Sequence, residues 1–481
     1  MAKNDKDFVK EVTSREEDYS QWYLDVILKT EMVDYAPVKG CMVIRPYGFT
    51  LWENMQALLD KKIKDTGHKN AYFPLFIPES LLQKEADHVE GFAPEVAWVT
   101  HGGNEKLAER LVVRPTSETI ICSMYAKWIQ SWRDLPVLIN QWCNVVRWEK
   151  TTRPFLRTSE FLWQEGHTAH RTEEEAQEET LKMLEVYREF VEEDLAIPVI
   201  TGLKTDKEKF AGALRTYTIE ALMGDGRALQ SGTSHNLGQH FAKVFDITFL
   251  DQDDQLKYVW QASWGVSTRL IGAIIMVHGD NRGLKIPPKV APVQVVVVPI
   301  MPKKTREVVL EKAEALLGTL GEKFRMDIDD RDYSPGWKFN EWEMKGVPLR
   351  LEIGPKDIEK GQVVLVRRDT GEKFFVKEED LDSTIEKLLA EIQDNMFQMA
   401  LEFRTQNTTQ CEDYEDFKKI IADRRGFVRA NWCGHGQCEE KIKEDTKATI
   451  RCIPLKEDKI QGPCLCCGGE AKETVYFARA Y

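Results

Sequence analysis

The segment WGVSTRLIGAIIMVHGDNRGLKIPP (264–288) carries the most informative pattern in the chain. Its periodicity predicts a helix that is apolar on nearly every side and begins close to Arg269. The apolar positions are Leu270, Ile271, Ile274, Ile275 and Val277. A guanidinium surrounded by that much apolar surface needs an anionic partner, which is either a structural carboxylate or a phosphate of a bound ligand.

Two more arginines lie in the preceding strand-like segments, VVRWE (145–149) and FLRTSEFLWQEGHTAH (155–170). Arg147 and Glu149 end the first segment, and Arg157 follows across a turn. A guanidinium binds phosphate oxygens with two hydrogen bonds, and a glutamate accepts from an amino group. The alternative is an ion pair at the end of a strand. The chain lacks GxxxxGK[ST] and a strand-linked GxGxxG, so any nucleotide must be held by other means.

Three polar stretches add candidate binding groups. RPTSETI (114–120) is predicted to be a strand with two polar side chains on one face, and alternation in FLWQEGHTAH (161–170) places three more on one face. The third stretch is QSGTSHNLGQH (230–240). The candidates are Thr116, Glu118, Trp163, Glu165, His167, Gln230, Thr233 and His235. This acidic, aromatic and hydroxyl-bearing set fits a small cationic organic ligand. A metal pair of His167 and His170 is disfavoured, because their spacing suits a helix rather than a strand.

The length of 481 residues allows two or three domains. Successive strand pairs indicate an α+β domain with a largely antiparallel sheet over residues 1–285. Strands are predicted at 71–78, 111–115, 136–149 and 153–167, and helices at 48–66 and 383–402. The prolines of LKIPPKVAP (284–292) suggest a linker to a small α/β domain with a parallel sheet over 286–400. A Cys-rich domain occupies 401–481.

Seven of the ten cysteines lie in the last 71 residues, and most of these fall in CGHGQC (433–438) and CLCCGG (464–469). Four thiolates around zinc form a closed, structural site. Cys433, Cys438 and Cys464 are the firm candidates, and the fourth ligand is Cys467, which we prefer, or Cys466. The alternative is a set of reduced thiols without metal.

The formal charge of −13 does not exclude a nucleic-acid partner. Residues 171–200 carry −7 and residues 371–400 carry −5, so the rest of the chain is nearly neutral. The first of these segments is predicted to be an amphipathic surface helix. The absence of a long apolar run and the polar start MAKNDKDFVKEVTSREED (1–18) predict a cytoplasmic protein without a membrane segment.

Taken together, the motifs resemble those of a class II aminoacyl-tRNA synthetase. AYFPLFIP (71–78) is similar to motif 1, VVRWE with FLRTSEFLWQEGHTAH to motif 2, and WGVSTRLIGAIIMVHGDNRGLKIPP to motif 3. With RPTSET, GTSHNLGQ (232–239) and the terminal ARAY (478–481), the chain resembles the prolyl-tRNA synthetase family of the archaeal and eukaryotic-like type along nearly its whole length. This resemblance implies a class II catalytic core, an α/β anticodon-binding domain and a small zinc-bearing α+β C-terminal domain.

The resemblance also implies an activity and its residues. L-Proline and ATP would form prolyl-adenylate, and the prolyl group would pass to the terminal adenosine of tRNA(Pro), with Mg²⁺ and a structural Zn²⁺ as metals. The catalytic residues would be Arg147 and Arg269. Proline would be bound by Thr116, Glu118, Arg147, Trp163, Glu165, His167 and His235. ATP would be bound by Arg147, Glu149, Arg157, Thr158, Gln230, Thr233 and Arg269.

Further expectations follow from the same resemblance. Only 112 positions separate Arg157 from Arg269, which leaves no room for a large editing insertion. Alanine should be misactivated, since one missing methylene is worth only about 1–3 kcal/mol. Motif 1 implies a homodimer, and the terminus at Tyr481 is expected to fold back toward the catalytic domain. Anticodon contacts are expected from Glu341, Arg350, Lys356 and Arg367. The competing interpretations are a catalytically silent relative and a class II enzyme for another amino acid, such as threonine.

Overall fold

The computed structural model describes residues 11–86, 95–423 and 425–481, so the first part of the polar N-terminal segment lies outside the described residues. The helices are α1 (Tyr19–Lys29), α2 (Pro46–Asp65), α3 (Glu79–Ala86), α4 (Glu118–Trp128), α5 (Glu173–Glu189), α6 (His240–Phe245), α7 (Arg269–His278), α8 (Arg306–Leu320), α9 (Pro335–Met344), α10 (Pro355–Glu359), α11 (Leu381–Gln406), α12 (Tyr414–Asp423) and α13 (Gly436–Thr446). The strands are β1 (Val33–Tyr35), β2 (Met42–Ile44), β3 (Lys69–Asn70), β4 (Phe76–Pro78), β5 (Ala97–Gly102), β6 (Glu105–Val113), β7 (Val137–Val146), β8 (Glu160–His170), β9 (Val199–Leu203), β10 (Arg215–Leu222), β11 (Ala228–Gly238), β12 (Thr248–Leu250), β13 (Leu256–Tyr258), β14 (Trp260–Ser267), β15 (Val295–Pro299), β16 (Met326–Ile328), β17 (Leu349–Ile353), β18 (Gln362–Arg367), β19 (Lys373–Lys377), β20 (Thr408–Gln410), β21 (Phe427–Trp432), β22 (Thr449–Pro454) and β23 (Glu473–Ala478).

The centre of the molecule is an eleven-stranded sheet in the order β20-β21-β23-β22-β9-β10-β11-β14-β8-β7-β3. Strands β9, β10, β11, β14, β8 and β7 are antiparallel neighbours, and β3 pairs parallel with β7. Apolar side chains of α1, α2, α5 and α7 form one buried cluster with this sheet. The predicted α+β domain with an antiparallel sheet is confirmed.

Three local predictions in this region are wrong in part. Of the predicted strand 71–78, only residues 76–78 pair as a strand, and the preceding pairing at 69–70 lies outside it. Pro74, which lies between the two, has no N–H to donate to a ladder. Residues 153–159 form a tight turn, closed by hydrogen bonds between the backbones of Arg153 and Arg157, and β8 begins at Glu160. The RPTSETI stretch is not a strand, since α4 begins at Glu118.

The second region contains a five-stranded sheet in the order β16-β15-β17-β18-β19. Strand β15 pairs parallel with β16 and β17, whereas β17, β18 and β19 are antiparallel. The prediction of a parallel sheet is therefore only half correct. The apolar run of β15 is fully buried, as expected for a central strand flanked by helices.

The predicted linker at 284–292 is a docked segment. Leu284, Ile286, Val290 and Ala291 are almost completely buried in the main core cluster. The Leu284 backbone N–H donates to the Met344 carbonyl at 2.8 Å. The closely spaced prolines prevent regular structure here without leaving the segment loose.

The C-terminal domain extends the central sheet. Strand β22 pairs antiparallel with β9, with Ile453 opposite Leu203 and Pro454 opposite Gly202. A Cβ on Gly202 would lie 2.5 Å from the Cys452 Cβ, so the close approach of β22 requires glycine at this position. The catalytic and C-terminal regions are thus joined by a continuous backbone ladder.

The two acidic segments form amphipathic helices, as predicted for the first. Helix α5 buries Met183, Leu184 and Tyr187, and continues as a π-helical turn over Phe190–Asp194. Helix α11 begins in the second acidic segment. Among the described residues, no helix has the length and apolar character needed to cross a membrane.

Candidate active site

A cavity of about 250 Å³ lies on one face of the central sheet, over β8, β14 and β11. Of the residues predicted from sequence, the following line it: Thr116, Glu118, Arg147, Trp163, Glu165, His167, Gln230, Thr233, His235 and Arg269. Glu149, Arg157 and Thr158 do not line this cavity. The fold thus gathers most of the predicted set, drawn from positions more than 150 residues apart.

The strand register explains why these side chains meet. Across β8, β14 and β11, His167 lies opposite Ser263, which lies opposite His235. One row further, Glu165 and Thr233 flank Gly265. Cross-strand partners share a face, so small residues on the middle strand leave space between the larger groups of its neighbours. The alternation of the small residues Ser263, Gly265 and Ser267 in SWGVS indicates a strand face that leaves space for a ligand. Sequence reasoning missed this pattern.

The cavity lining includes a cluster of two carboxylates and an imidazole. Ligand atoms of Glu118, Glu165 and His167 all lie within 4.8 Å of one another. His167 Nε2 is 2.9 Å from Glu165 Oε2, and the Ser117 hydroxyl donates to Glu165 Oε1. The Thr116 hydroxyl donates to Glu118. Although α4 replaces the predicted strand, its start still presents both Thr116 and Glu118 to the cavity.

The electrostatics of this cluster favour the charged forms of Glu165 and His167. Burial lowers the pKa of His167, but the hydrogen bond to Glu165 and the charge of Glu118 outweigh burial, so the pKa of His167 is raised. Burial likewise opposes ionisation of Glu165, yet its hydrogen bonds, first that from His167, leave its pKa lowered. Burial and the nearby His167 charge lower the pKa of His235 to about 3, so this imidazole is neutral at neutral pH.

The cavity lining also includes two guanidiniums, from Arg147 and Arg269. Arg147 Nε donates to the Pro115 carbonyl at 3.0 Å, and Arg269 Nε donates to the Leu156 carbonyl at 3.2 Å. Within the described part of the chain, neither has a carboxylate oxygen within 4.0 Å. Desolvation by the surrounding protein lowers the pKa of Arg147. The same desolvation, together with the charges of Arg147 and Arg157, lowers the pKa of Arg269 to about 10. Two guanidiniums that form no ion pair with the described residues could hold a bound anion, although Glu118, Glu165 and Glu149 lie close enough to Arg147 to raise its pKa in part.

The remaining residues of the predicted ATP set lie at the edge of this site. Arg157 Nε is 3.5 Å from Glu149 Oε2, and the Arg157 side chain is 63% exposed. The strand-end ion pair therefore forms, but with Arg157 rather than Arg147 as the partner of Glu149. The Thr158 hydroxyl donates to the Glu160 carbonyl at 2.7 Å.

Sequence reasoning also missed a loop that borders the cavity. Glu208, Lys209 and Phe210, between β9 and β10, line it. The Phe210 ring centroid lies 4.8 Å from that of His235. These residues carry no motif of their own, and only the register of β10 and β11 places them here.

The cysteine cluster forms a separate candidate metal site. The sulfur atoms of Cys433, Cys438, Cys464 and Cys467 lie within 4.8 Å of one another, and those of Cys433 and Cys438 are 3.6 Å apart. Tetrahedral zinc with bonds of about 2.3 Å needs sulfur atoms about 3.8 Å apart, so the four thiols fit this metal. The geometry favours Cys467 over Cys466 as the fourth member.

The chain terminus lies beside the catalytic sheet. The Tyr481 backbone N–H donates to the Ala228 carbonyl, and its hydroxyl donates to Asp225 at 2.5 Å. The guanidiniums of Arg153 and Arg227 lie 5.3 and 5.1 Å from the ring centroid. Tyr481 does not line the 250 Å³ cavity.

An antiparallel sheet with one arginine at a strand end and another opening the helix after β14 agrees with the resemblance to a class II aminoacyl-tRNA synthetase. Family models agree domain by domain: the tRNA synthetase class II core domain (G, H, P, S and T) matches residues 98–278, the anticodon binding domain matches 294–390, and the prolyl-tRNA synthetase C-terminal domain matches 414–481.

Curated relatives match over their full length. The chain is 69% identical to a proline--tRNA ligase of Natranaerobius thermophilus and 62% identical to one of Alkaliphilus oremlandii. It is 61% identical to proline--tRNA ligase 2 of Clostridioides difficile, and each match covers 100% of both chains. The chain therefore belongs to the prolyl-tRNA synthetase family and is a class II enzyme that ligates proline to tRNA.

Proposed function

We propose that the cavity binds L-proline and ATP side by side, forms prolyl-adenylate, and passes the prolyl group to the terminal adenosine of tRNA(Pro). The observation that carries this proposal is the mixed charge of the cavity lining. Arg147 and Arg269 line the same cavity as the cluster of Glu118, Glu165 and His167, and neither guanidinium is in an ion pair within the described part of the chain. An amino acid and a triphosphate need both anion-binding and cation-binding groups.

In the first step, a carboxylate oxygen of proline attacks the α-phosphorus and the bond to pyrophosphate breaks. No proton has to move, because the carboxylate is already ionised. Catalysis then depends on positioning and on stabilising the charge that develops on phosphate oxygens. We assign Arg147 to the proline carboxylate and α-phosphate, and Arg269 to the γ-phosphate. The guanidiniums suit this role because desolvation by the surrounding protein disfavours the charge of both, and the charges of Arg147 and Arg157 add to this effect at Arg269.

We assign the secondary ammonium of proline to Thr116 and Glu118, with Glu165 behind them. Trp163, His167 and His235 would enclose the pyrrolidine ring. The neutral state of His235 supports contact with an apolar ring.

For the nucleotide, we propose that Glu149 accepts from the adenine amino group and that Arg157 and Thr158 contact the nucleotide at the edge of the cavity. Because the Thr158 hydroxyl already bonds a carbonyl, its main chain is the better donor. Gln230 and Thr233 offer uncharged oxygens at the ribose and phosphates. Mg²⁺ prefers oxygen ligands, so it would be held mainly by the phosphates and water, and it offsets their charge.

We propose that alanine is misactivated and that this chain has no inserted editing domain. The support is that the described residues between Arg157 and Arg269 form β8–β14 with α5 and α6, all of which lie within the range 98–278 that the class II core family model matches. Any proofreading would come from another protein.

For anticodon binding, we propose contacts from Glu341, Arg350, Lys356 and Arg367. Arg350 and Arg367 line a second cavity of about 310 Å³ in the middle region of the chain. Arg350 also pairs with Glu352 at 2.8 Å. Because both acidic helices would repel phosphates, we expect them to face away from the tRNA.

We propose domain limits of 1–285, 286–400 and 401–481, a homodimer and a cytoplasmic location. The exposed side chains of Tyr72 and Phe76, which are 72% and 44% accessible, support an interface at the motif 1 segment. We also propose that Zn²⁺ occupies the cysteine cluster and holds the C-terminal fold, outside the chemical steps.

The test is ATP–pyrophosphate exchange with each of the twenty amino acids. We expect strong exchange with proline, weak exchange with alanine and none with threonine. Absence of proline-dependent exchange would contradict the proposal, as would exchange that depends mainly on another amino acid. Lack of exchange with every amino acid would favour the silent relative.

A further inference from the structure

Residues 204–214 form a loop between β9 and β10 that touches both the cavity and the C-terminal domain. On the inner side, Phe210 contacts His235, and its backbone N–H donates to the Thr216 hydroxyl at 2.9 Å. The Thr216 hydroxyl is also 3.0 Å from His235 Nδ1. The position of this loop therefore fixes one wall of the proposed proline site.

The turn that presents these residues starts at Thr205. The Thr205 carbonyl accepts from the backbone N–H groups of Glu208 and Lys209, at 3.1 and 2.9 Å. Both Glu208 and Lys209 line the cavity. A shift of Thr205 would move them directly, since the hydrogen bonds join them through the main chain.

The outer side of Thr205 is held by the C-terminal domain. Its hydroxyl donates to Glu439 Oε1 of α13 at 2.8 Å, and the two residues are only 3% and 4% exposed. Glu439 directly follows Cys438, the candidate zinc ligand in the first turn of α13. The neighbouring pair of Lys207 and Glu440, at 3.2 Å, is 45% and 62% exposed and is screened by water.

A buried ion cluster anchors the base of the same loop. Lys204 Nζ donates to Glu220 Oε1 at 2.7 Å and to the carbonyl of Arg451 at 2.8 Å. The Arg451 guanidinium contacts both oxygens of Glu220 at 3.0–3.2 Å. Glu220 lies opposite Gln230, which lines the cavity. Arg451 thus brings β22 of the C-terminal domain to the end of the substrate site.

We propose that the C-terminal domain sets the affinity for the amino-acid substrate by holding the 204–214 loop, with Glu439 as a positioning residue that acts through Thr205. Burial of both partners makes this contact specific, because a buried acceptor that loses its donor has no water to replace it. The inference rests on the proposed assignment of the cavity to proline.

The experiment compares Glu439→Ala, Glu439→Gln, Thr205→Val and the double variant Thr205→Val/Glu439→Ala in the full-length protein. Glu444→Ala is the matched control, since Glu444 is an exposed glutamate on the same helix. Proline-dependent ATP–pyrophosphate exchange gives kcat and the KM values for proline and ATP. Trypsin cleavage at the loop lysines Lys207 and Lys209 reports the loop directly.

We expect Glu439→Ala and Thr205→Val each to raise the KM for proline about 5–10-fold, with kcat and the KM for ATP within about 2-fold of wild type. Glu439→Gln keeps an acceptor oxygen and should restore the KM for proline to within about 2-fold. The KM for proline of the double variant should be no higher than that of the more impaired single variant, because both changes remove the same hydrogen bond. Trypsin cleavage in the loop should accelerate in Glu439→Ala, Thr205→Val and the double variant. It should stay at the wild-type rate in Glu439→Gln and in the control Glu444→Ala.

A KM for proline unchanged in both single variants would overturn the proposal. So would equal losses for proline and ATP that follow the melting temperature, because these would show a purely structural role. If Glu439→Ala fails to fold, Thr205→Val decides, since it leaves α13 intact. Wild-type protein without proline-dependent exchange would instead refute the proposed function of the cavity.

Discussion

Replacement of Arg269 by glutamine should abolish activation without destabilising the fold. The pKa of Arg269 is lowered from 12.5 to about 10 by surrounding protein and by the charges of Arg147 and Arg157. At about 1.4 kcal/mol per pKa unit, this shift corresponds to a penalty of roughly 3 kcal/mol for keeping Arg269 charged in the folded state. Contact with cavity water reduces this penalty to about 1–2 kcal/mol. Because this basic group has a depressed pKa in the folded state, the penalty is fully present at every pH below about 10.

Loss of the Arg269 charge therefore removes this penalty and stabilises the fold. Loss of the hydrogen bond to the Leu156 carbonyl destabilises it by about 0.5–1.5 kcal/mol. The two effects nearly cancel, so the melting temperature of Arg269→Gln should lie within about 2 °C of wild type. Proline-dependent exchange should fall at least about 100-fold, as expected when a donor to a transition-state anion is removed. ATP should no longer raise the melting temperature.

The matched control is Arg404→Gln, because Arg404 also has a pKa lowered by surrounding protein and bonds the Val199 carbonyl at 2.8 Å, away from the cavity. It should keep exchange activity within about 2-fold of wild type. The reasoning is refuted if Arg269→Gln retains more than about a tenth of wild-type exchange. A melting temperature lowered by more than about 5 °C would also refute it, since the charge would then be stabilising.

Three other predictions concern stability and metal. Because the pKa of His167 is raised in the folded state, protonation of His167 stabilises the fold fully below pH about 6.5, and this stabilisation is lost as the pH rises through the folded-state pKa. In urea denaturation measured over a pH series, His167→Gln should remove this pH dependence of the unfolding free energy. An unchanged pH dependence would count against the pairing of His167 with Glu165. Gly202→Val should separate β22 from β9 and speed proteolytic release of the C-terminal domain, whereas wild-type resistance would show that the junction tolerates a side chain. Metal analysis should find one zinc per chain, lost in Cys467→Ser and retained in Cys466→Ser; the reverse pattern would make Cys466 the fourth ligand.

Much of the cavity could be predicted from sequence because strand alternation is a local property. The spacing of Trp163, Glu165 and His167 placed them on one face of a strand, and β8 confirms it. The apolar pattern after Arg269 predicted a helix, and α7 begins at that residue. Each inference needed only residues close together in the chain.

The error at RPTSETI has a physical cause. Ser117 followed by Glu118 is a typical helix start, and the strand prediction did not take this signal into account. The Ser117 hydroxyl does not cap the helix but donates to Glu165, so the start of α4 is fixed by the site itself. Local propensity alone could not show this.

Long-range pairing explains what remained hidden. The 204–214 loop has no motif, and its role depends on the pairing of β10 with β11. The junction of β9 with β22 joins residues about 250 positions apart. The apparent linker at 284–292 is buried because it packs into the main core cluster and bonds to Met344 at the end of α9. Such contacts are set by the assembled fold and leave little trace in the sequence.

The most direct test of the account is aminoacylation of tRNA(Pro) with labelled proline and ATP by the purified full-length protein. The account predicts ATP-dependent attachment of proline to the terminal adenosine of tRNA(Pro), and no attachment to a threonine tRNA. Failure to charge tRNA(Pro) with proline, by protein that is folded and contains zinc, would contradict the central claim.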